Sequence, residues 1–119
     1  MIQIFHNACC SKSRAALLLA EQAADRLGET LCIRDYLNEP LSLGELSLLL
    51  EQLAAPARTM LREDDARQLC PTVLLQCDSA AAVLQAIAQE PRLLQRPIVV
   101  RNGRAAIGRP TEAILPLFD

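Results

Sequence analysis

Ile2, Ile4 and Phe5 give the first five residues, Met1 to Phe5, an apolar run that stops at His6-Asn7, a pattern that predicts a short buried strand. From Ser11 or Ser13 to about Leu27, alanines and leucines continue without a breaker until Gly28, which predicts a helix capped by serine and closed by glycine. Thr30 to Tyr36 is β-prone and follows that stop, so a second strand parallel to the first completes a β-α-β unit. Pro40 and Ser42 open another helix, with an apolar face of Leu43, Leu46, Leu50 and Leu53 and a breaker at Pro56. Arg58 to Arg62 adds a short turn, and the charged stretch Glu63 to Cys70, ending at Pro71, reads as a connection. Asp78 or Ser79 caps a helix over Ala80 to Gln89, with Val83, Leu84 and Ile87 inward and Pro91 as its stop. Pro97 to Arg101 and Arg104 to Ile107 flank Asn102-Gly103, the signature of an antiparallel hairpin. A short terminal helix over Pro110 to Leu117 follows, with proline near its start and Glu112 close behind.

The order β-α-β, helices, β-β-α describes an α/β fold: a mixed sheet flanked by helices, with a helical insertion between two halves. If both halves share one sheet, the arrangement is thioredoxin-like (glutaredoxin-like). At 119 residues the chain has the length of a single domain, residues 1–119. Hydrophobic residues at 51% and charged residues at 22% fit a packed globular protein.

Charge narrows the partners. Twelve Lys plus Arg against fourteen Asp plus Glu leave a net charge of −2, which argues against nucleic acid binding. Lys12 is the only lysine among those twelve, and arginine is the better ligand for oxyanions. No stretch has the length and apolarity of a membrane span or an export signal, so the expected setting is cytoplasmic, away from membranes. There, five cysteines are expected to be reduced thiols rather than a disulfide framework.

Cys10 falls where a strand has ended and a helix is about to begin. Unpaired amides and the helix dipole favour a thiolate at such a place, and Lys12 and Arg14 nearby add positive potential. The competing reading is a buried apolar cysteine. Ser13 stands where a dithiol motif would carry its second cysteine, so Cys10 is expected to work as a monothiol. Its regeneration then needs an outside thiol such as glutathione, or a cysteine from elsewhere in the fold. Cys9 is adjacent, but a vicinal disulfide is strained, and packing or modulation is the preferred role. Cys32, inside the second predicted strand, reads as a core residue. Cys70 and Cys77 read as structural, with a resolving thiol as the alternative, and the spacing offers no metal site.

His6 is positioned to hydrogen-bond the loop or assist the thiolate, and Asn7 to fix the loop backbone through its side-chain amide. Arg62, Arg96 and Arg109 each stand at the edge of a predicted element. Convergence of the three would make an oxyanion pocket around the thiolate. Pro97 opens the third strand directly after Arg96, where either peptide isomer is sterically allowed.

The opening Ile4-Phe5-His6-Asn7-Ala8-Cys9-Cys10-Ser11-Lys12-Ser13-Arg14 closely resembles that of the glutaredoxin-linked arsenate reductases. Arg58-Thr59-Met60-Leu61-Arg62, Gln95-Arg96-Pro97-Ile98-Val99-Val100 and Gly108-Arg109-Pro110-Thr111-Glu112 resemble later blocks of that family. The resemblance implies a thioredoxin-like fold, Cys10 as nucleophile, Arg62, Arg96 and Arg109 as oxyanion ligands, and a cis peptide before Pro97. It implies arsenate as substrate, no bound cofactor or metal, glutathione as co-substrate and glutaredoxin as partner of a monomeric enzyme. Two other functions remain open: a glutathione-dependent thiol reductase with another substrate, and an Spx-type regulator that contacts RNA polymerase. The regulators usually carry a C-x-x-C switch, which Ser13 removes here.

Overall fold

The computed structural model describes all of residues 1–119, which divide into two compact units, residues 1–39 with 96–119, and residues 40–95. The first unit holds a four-stranded sheet in the order β2-β1-β3-β4. Its strands are β1 (Ile2–His6), β2 (Leu31–Asp35), β3 (Ile98–Arg101) and β4 (Arg104–Ile107). β1 pairs in parallel with β2, from Ile2 opposite Leu31 to His6 opposite Asp35, and antiparallel with β3, Ile2 facing Arg101. The halves therefore share one mixed sheet, as the thioredoxin-like reading requires.

Between β1 and β2 runs helix α1 (Ser11–Leu27). It buries Ala16, Ala20, Ala23 and Ala24, small residues that let the helix lie close to Ile2, Ile4 and Val99 of the sheet. Gly28 ends it in the left-handed region at φ 66°, and the amide of Glu29 returns to the Ala24 carbonyl at 3.0 Å. Its start differs from the expected serine cap: Cys10 itself is the capping residue, because Ser13 has turned inward.

β3 and β4 form the expected hairpin. Asn102 and Gly103, at φ 53° and 75°, supply the two positive dihedrals of a type I′ turn. The C-terminal segment Thr111–Phe118 is a run of 3-10 turns rather than an α-helix, with Pro116 inside it unable to donate a backbone hydrogen bond. It closes the core with Ile114, Leu117 and Phe118.

Cys32 is exposed, not in the core. β2 is an edge strand, and at the edge Cys32 and its neighbour Ile33 are both left accessible.

The second unit is the helical insertion. Helix α2 (Leu43–Leu53) opens with a reciprocal capping box: the Ser42 hydroxyl accepts from the Glu45 amide at 3.1 Å, and the Glu45 carboxylate accepts from the Ser42 amide at 2.9 Å. Its buried stripe is Leu46 and Leu49, with Leu50 and Leu53 half-buried. Leu43 is exposed, so the inward face is rotated from the expected one.

Helix α3 (Glu63–Leu69) replaces the expected connection. Glu63, Asp64 and Asp65 fill its first turn, where acidic side chains complement the helix dipole, so the charge that resembled a linker is an N-terminal signature. Helix α4 (Ala80–Gln89) forms as expected. The Ser79 hydroxyl accepts from the Ala82 amide, and Val83, Leu84 and Ile87 are buried. A one-residue antiparallel bridge joins Leu61 to Leu94, with the Arg62 amide donating to the Leu93 carbonyl at 2.8 Å. No helix is long and apolar enough to cross a membrane.

Candidate active site

The chain leaves β1 at His6 and enters α1 at Ser11 through a turn whose backbone is tied down by side chains. The Cys10 amide donates to the Asn7 carbonyl at 3.0 Å, closing the turn. The Asn7 side-chain oxygen accepts from the Cys9 amide at 3.0 Å, and the Ser13 hydroxyl, fully buried, accepts from the Asn7 amide at 3.3 Å. Arg14 reaches back from α1 and donates to the Ala8 carbonyl at 2.9 Å. Asn7 thus has the local role its position suggested, while Arg14 holds the turn through a carbonyl. His6 is buried, and its Nδ1 has no hydrogen-bond partner, so the bonds that fasten the loop come from Asn7, Ser13 and Arg14.

Cys10 occupies the capping position with an extended backbone, φ −101° and ψ 122°, and its side chain is half-buried. Partial burial pushes the thiol up. Against it, the Ser13 amide, the Arg96 guanidinium and the Lys12 amide favour the charged form and win, lowering the pKa from 9.0 to about 7. No side-chain hydrogen bond of good geometry caps α1. The first-turn amides act instead as the positive end of the helix facing a sulfur anion.

Two of the three candidate arginines meet at that sulfur. Arg96 lies beside it and both hydrogen-bonds and attracts the thiolate. Arg109 anchors its Nε on the Arg96 carbonyl at 2.7 Å and brings Nη2 to 3.8 Å from the Cys10 sulfur. One guanidinium is therefore aimed by the backbone of the other.

The Arg96–Pro97 peptide is cis, as the resemblance implies, and so is Arg109–Pro110, which the sequence reading does not anticipate. The Pro97 carbonyl accepts from the Gly108 amide at 2.8 Å. A Cβ on Gly108 would stand 2.8 Å from the Pro97 ring, so only glycine lets the segment after β4 that carries Arg109 approach the segment before β3 that carries Arg96 this closely. Sequence reasoning missed Gly108 as a site residue. Its one signal is a glycine directly before a candidate arginine.

Arg62 belongs to the helical unit, where it caps α3. Its Nε pairs with Asp65 at 3.2 Å, and its Nη1 is buried without a hydrogen-bond partner. Cys70 and Cys77 lie in the same unit and are half-buried, the Cys77 sulfur accepting from Arg58 Nη2 at 2.9 Å. All five cysteines are free.

A partly exposed thiolate at a helix start, with two guanidinium groups at its sulfur, is equipped to attack an electrophile that carries negative oxygens. The comparisons with known proteins agree in direction. The ArsC family profile matches residues 5–117. An arsenate reductase of Neisseria meningitidis is 45% identical over 115 residues, 95% of this chain and 94% of the relative. YfgD, an uncharacterized protein of Escherichia coli K12, is 35% identical over 117 residues, 98% of this chain and 95% of its own. The solved structure of an arsenate reductase from Vibrio cholerae superposes with a TM-score of 0.79 at 36% identity, covering 98% of this chain and 96% of that one. With a profile spanning nearly all of the sequence and relatives matched end to end on the same thioredoxin-like architecture, the chain belongs to the ArsC family.

Proposed function

We propose that the protein is an arsenate reductase that draws its electrons from glutathione and glutaredoxin. The observation that carries this reading is the Cys10 sulfur, with a pKa of about 7 and the guanidinium groups of Arg96 and Arg109 beside it. Near neutral pH about half of such a thiol is nucleophilic, and the flanking cations offset the charge of an approaching oxyanion. Arg62 is the third proposed ligand, a role it takes from the family resemblance alone.

In the proposed cycle the Cys10 thiolate attacks arsenic, forming an S–As bond, and one arsenate oxygen leaves as water after protonation. Glutathione then supplies the second sulfur, which bonds to the Cys10 sulfur. The S–As electron pair stays on arsenic, reducing it from the pentavalent to the trivalent state, and arsenite departs. Two thiol sulfurs have been oxidised to one mixed disulfide. Ser13 in place of a second cysteine leaves that disulfide without a partner three residues on, and glutaredoxin is the proposed acceptor.

Arsenite formation with glutathione and glutaredoxin, measured for wild type, Cys10→Ser and Arg96→Ala, tests the reading. Cys10→Ser is expected to abolish turnover, and Arg96→Ala to lower kcat by about 10²–10³, the range for losing one oxyanion donor. Equal rates in wild type and Cys10→Ser would remove Cys10 from the mechanism.

A further inference from the structure

Cys9 and Cys10 are adjacent free thiols in different settings, Cys9 exposed and Cys10 half-buried. Ala8 and Cys9 are the central residues of the turn closed by the Cys10 amide, and the Cys9 amide is itself tied to the Asn7 side chain. Successive side chains alternate between opposite faces in a strand. That alternation does not govern a turn, so the two sulfurs are not committed to opposite sides.

Adjacent Cα atoms lie about 3.8 Å apart, closer than the roughly 4.4–6.8 Å that unstrained disulfides span. The pair is therefore poorly suited to oxidise to a disulfide. A single thiophilic atom placed between the sulfurs removes the requirement that they bond to each other and enlarges the ring by one member. Cys9 is a free thiol on an exposed side chain, and an exposed side chain can change rotamer to reach such an atom.

We infer that Cys9 and Cys10 together form a bidentate dithiol site for trivalent arsenic. Two S–As bonds form and two As–OH bonds break. The hydroxyl groups leave as water with the thiol protons, a proton from solvent replacing the one already lost where Cys10 is ionised, and no oxidation state changes. Arsenous acid is uncharged near neutral pH, so Arg96 and Arg109 have no anion to hold and the soft sulfur ligands take over. That arsenite is the natural ligand rests on the proposed reduction of arsenate; the dithiol chemistry itself does not.

Phenylarsine oxide is the probe, because dithiols retain it against excess glutathione and release it to 2,3-dimercaptopropanol. Wild type is expected to keep one equivalent in glutathione. Cys9→Ser is expected to bind at least about 10²-fold more weakly, the scale of losing an intramolecular second ligand. The double variant Cys70→Ser, Cys77→Ser is expected to match wild type. Retention by Cys9→Ser equal to wild type, loss of the probe from wild type to glutathione, or loss of binding in the double variant would each overturn the inference. Failure of arsenate turnover with the probe still held through Cys9 would instead overturn the enzymatic reading and leave the site standing.

Discussion

A thiol with a pKa of about 7 changes charge across the physiological range, so the reactivity of Cys10 is expected to follow pH closely. Lowering the pKa of an acid means the charged form is present above it and lost below. Alkylation of Cys10 by iodoacetamide, followed by peptide mass spectrometry, should rise with pH through a midpoint near 7 and level off beyond. Replacing Arg96 by Met removes both a hydrogen bond and a favourable charge from the sulfur while leaving the Ser13 and Lys12 amides in place. The midpoint is then expected to move up toward 9.0, the ordinary value, without reaching it. An unmoved midpoint would assign the whole effect to the helix start. The strand-to-helix position of Cys10, with the absence of a second cysteine at Ser13, was legible in the sequence because both are local. The sequence also placed Arg14 near the thiolate, but only the structure shows its bond to the Ala8 carbonyl.

At the scale of elements, the Arg96 and Arg109 pair depends on how closely the end of β4 approaches the start of β3. Gly108 sets that approach. Gly108→Ala would press a methyl group to 2.8 Å from the Pro97 ring, which cannot swing away, and to 3.5 Å from Ala16 of α1. Such overpacking typically costs about 1–3 kcal/mol. The expected outcome is a lower Tm by circular dichroism together with a raised midpoint for Cys10 alkylation, since the backbone that leaves β4 and the backbone that enters β3 must shift beside Arg109 and Arg96. A normal Tm and an unchanged midpoint would show that the approach is not required. Elements with caps and breakers were legible, as α1, α4 and the β3–β4 hairpin show. Helix α3 was not, because it is short and buries only Ala66, leaving no apolar stripe to read.

For the molecule as a whole, the ends of the sheet unit are tied together by charge. Glu29, just after α1, accepts from Arg101 of β3 at 3.0 Å and from the N-terminal amine at 3.1 Å, while Arg101 also donates to the Leu117 carbonyl at 2.9 Å. The Arg101 hydrogen bond, joined by the N-terminal amine, holds the Glu29 carboxyl down to about 2 from its ordinary 4.5. The folded state therefore gains from an ionised Glu29 at pH values above about 4.5, and that gain disappears as pH falls toward 2. Glu29→Gln is expected to melt below wild type at pH 7, with the gap closing between pH 4.5 and 2 in thermal melts; a gap constant with pH would show that the pairing contributes nothing. No local pattern joins Glu29 to Arg101, and the same is true of Cys32, whose exposure follows from strand order rather than from its β-prone neighbours. By itself the sequence determined the β-α-β start, the capped helices α1, α2 and α4, the hairpin, the candidate thiol and the arginines worth following, because periodicity, caps and turn residues act over a few positions. Tertiary structure alone decided which strand became the edge, that Arg109 is aimed by the carbonyl of Arg96, and that Gly108 must be bare, because each depends on segments distant in the chain being brought within a few ångströms by the pairing of β1 with β3 and β3 with β4.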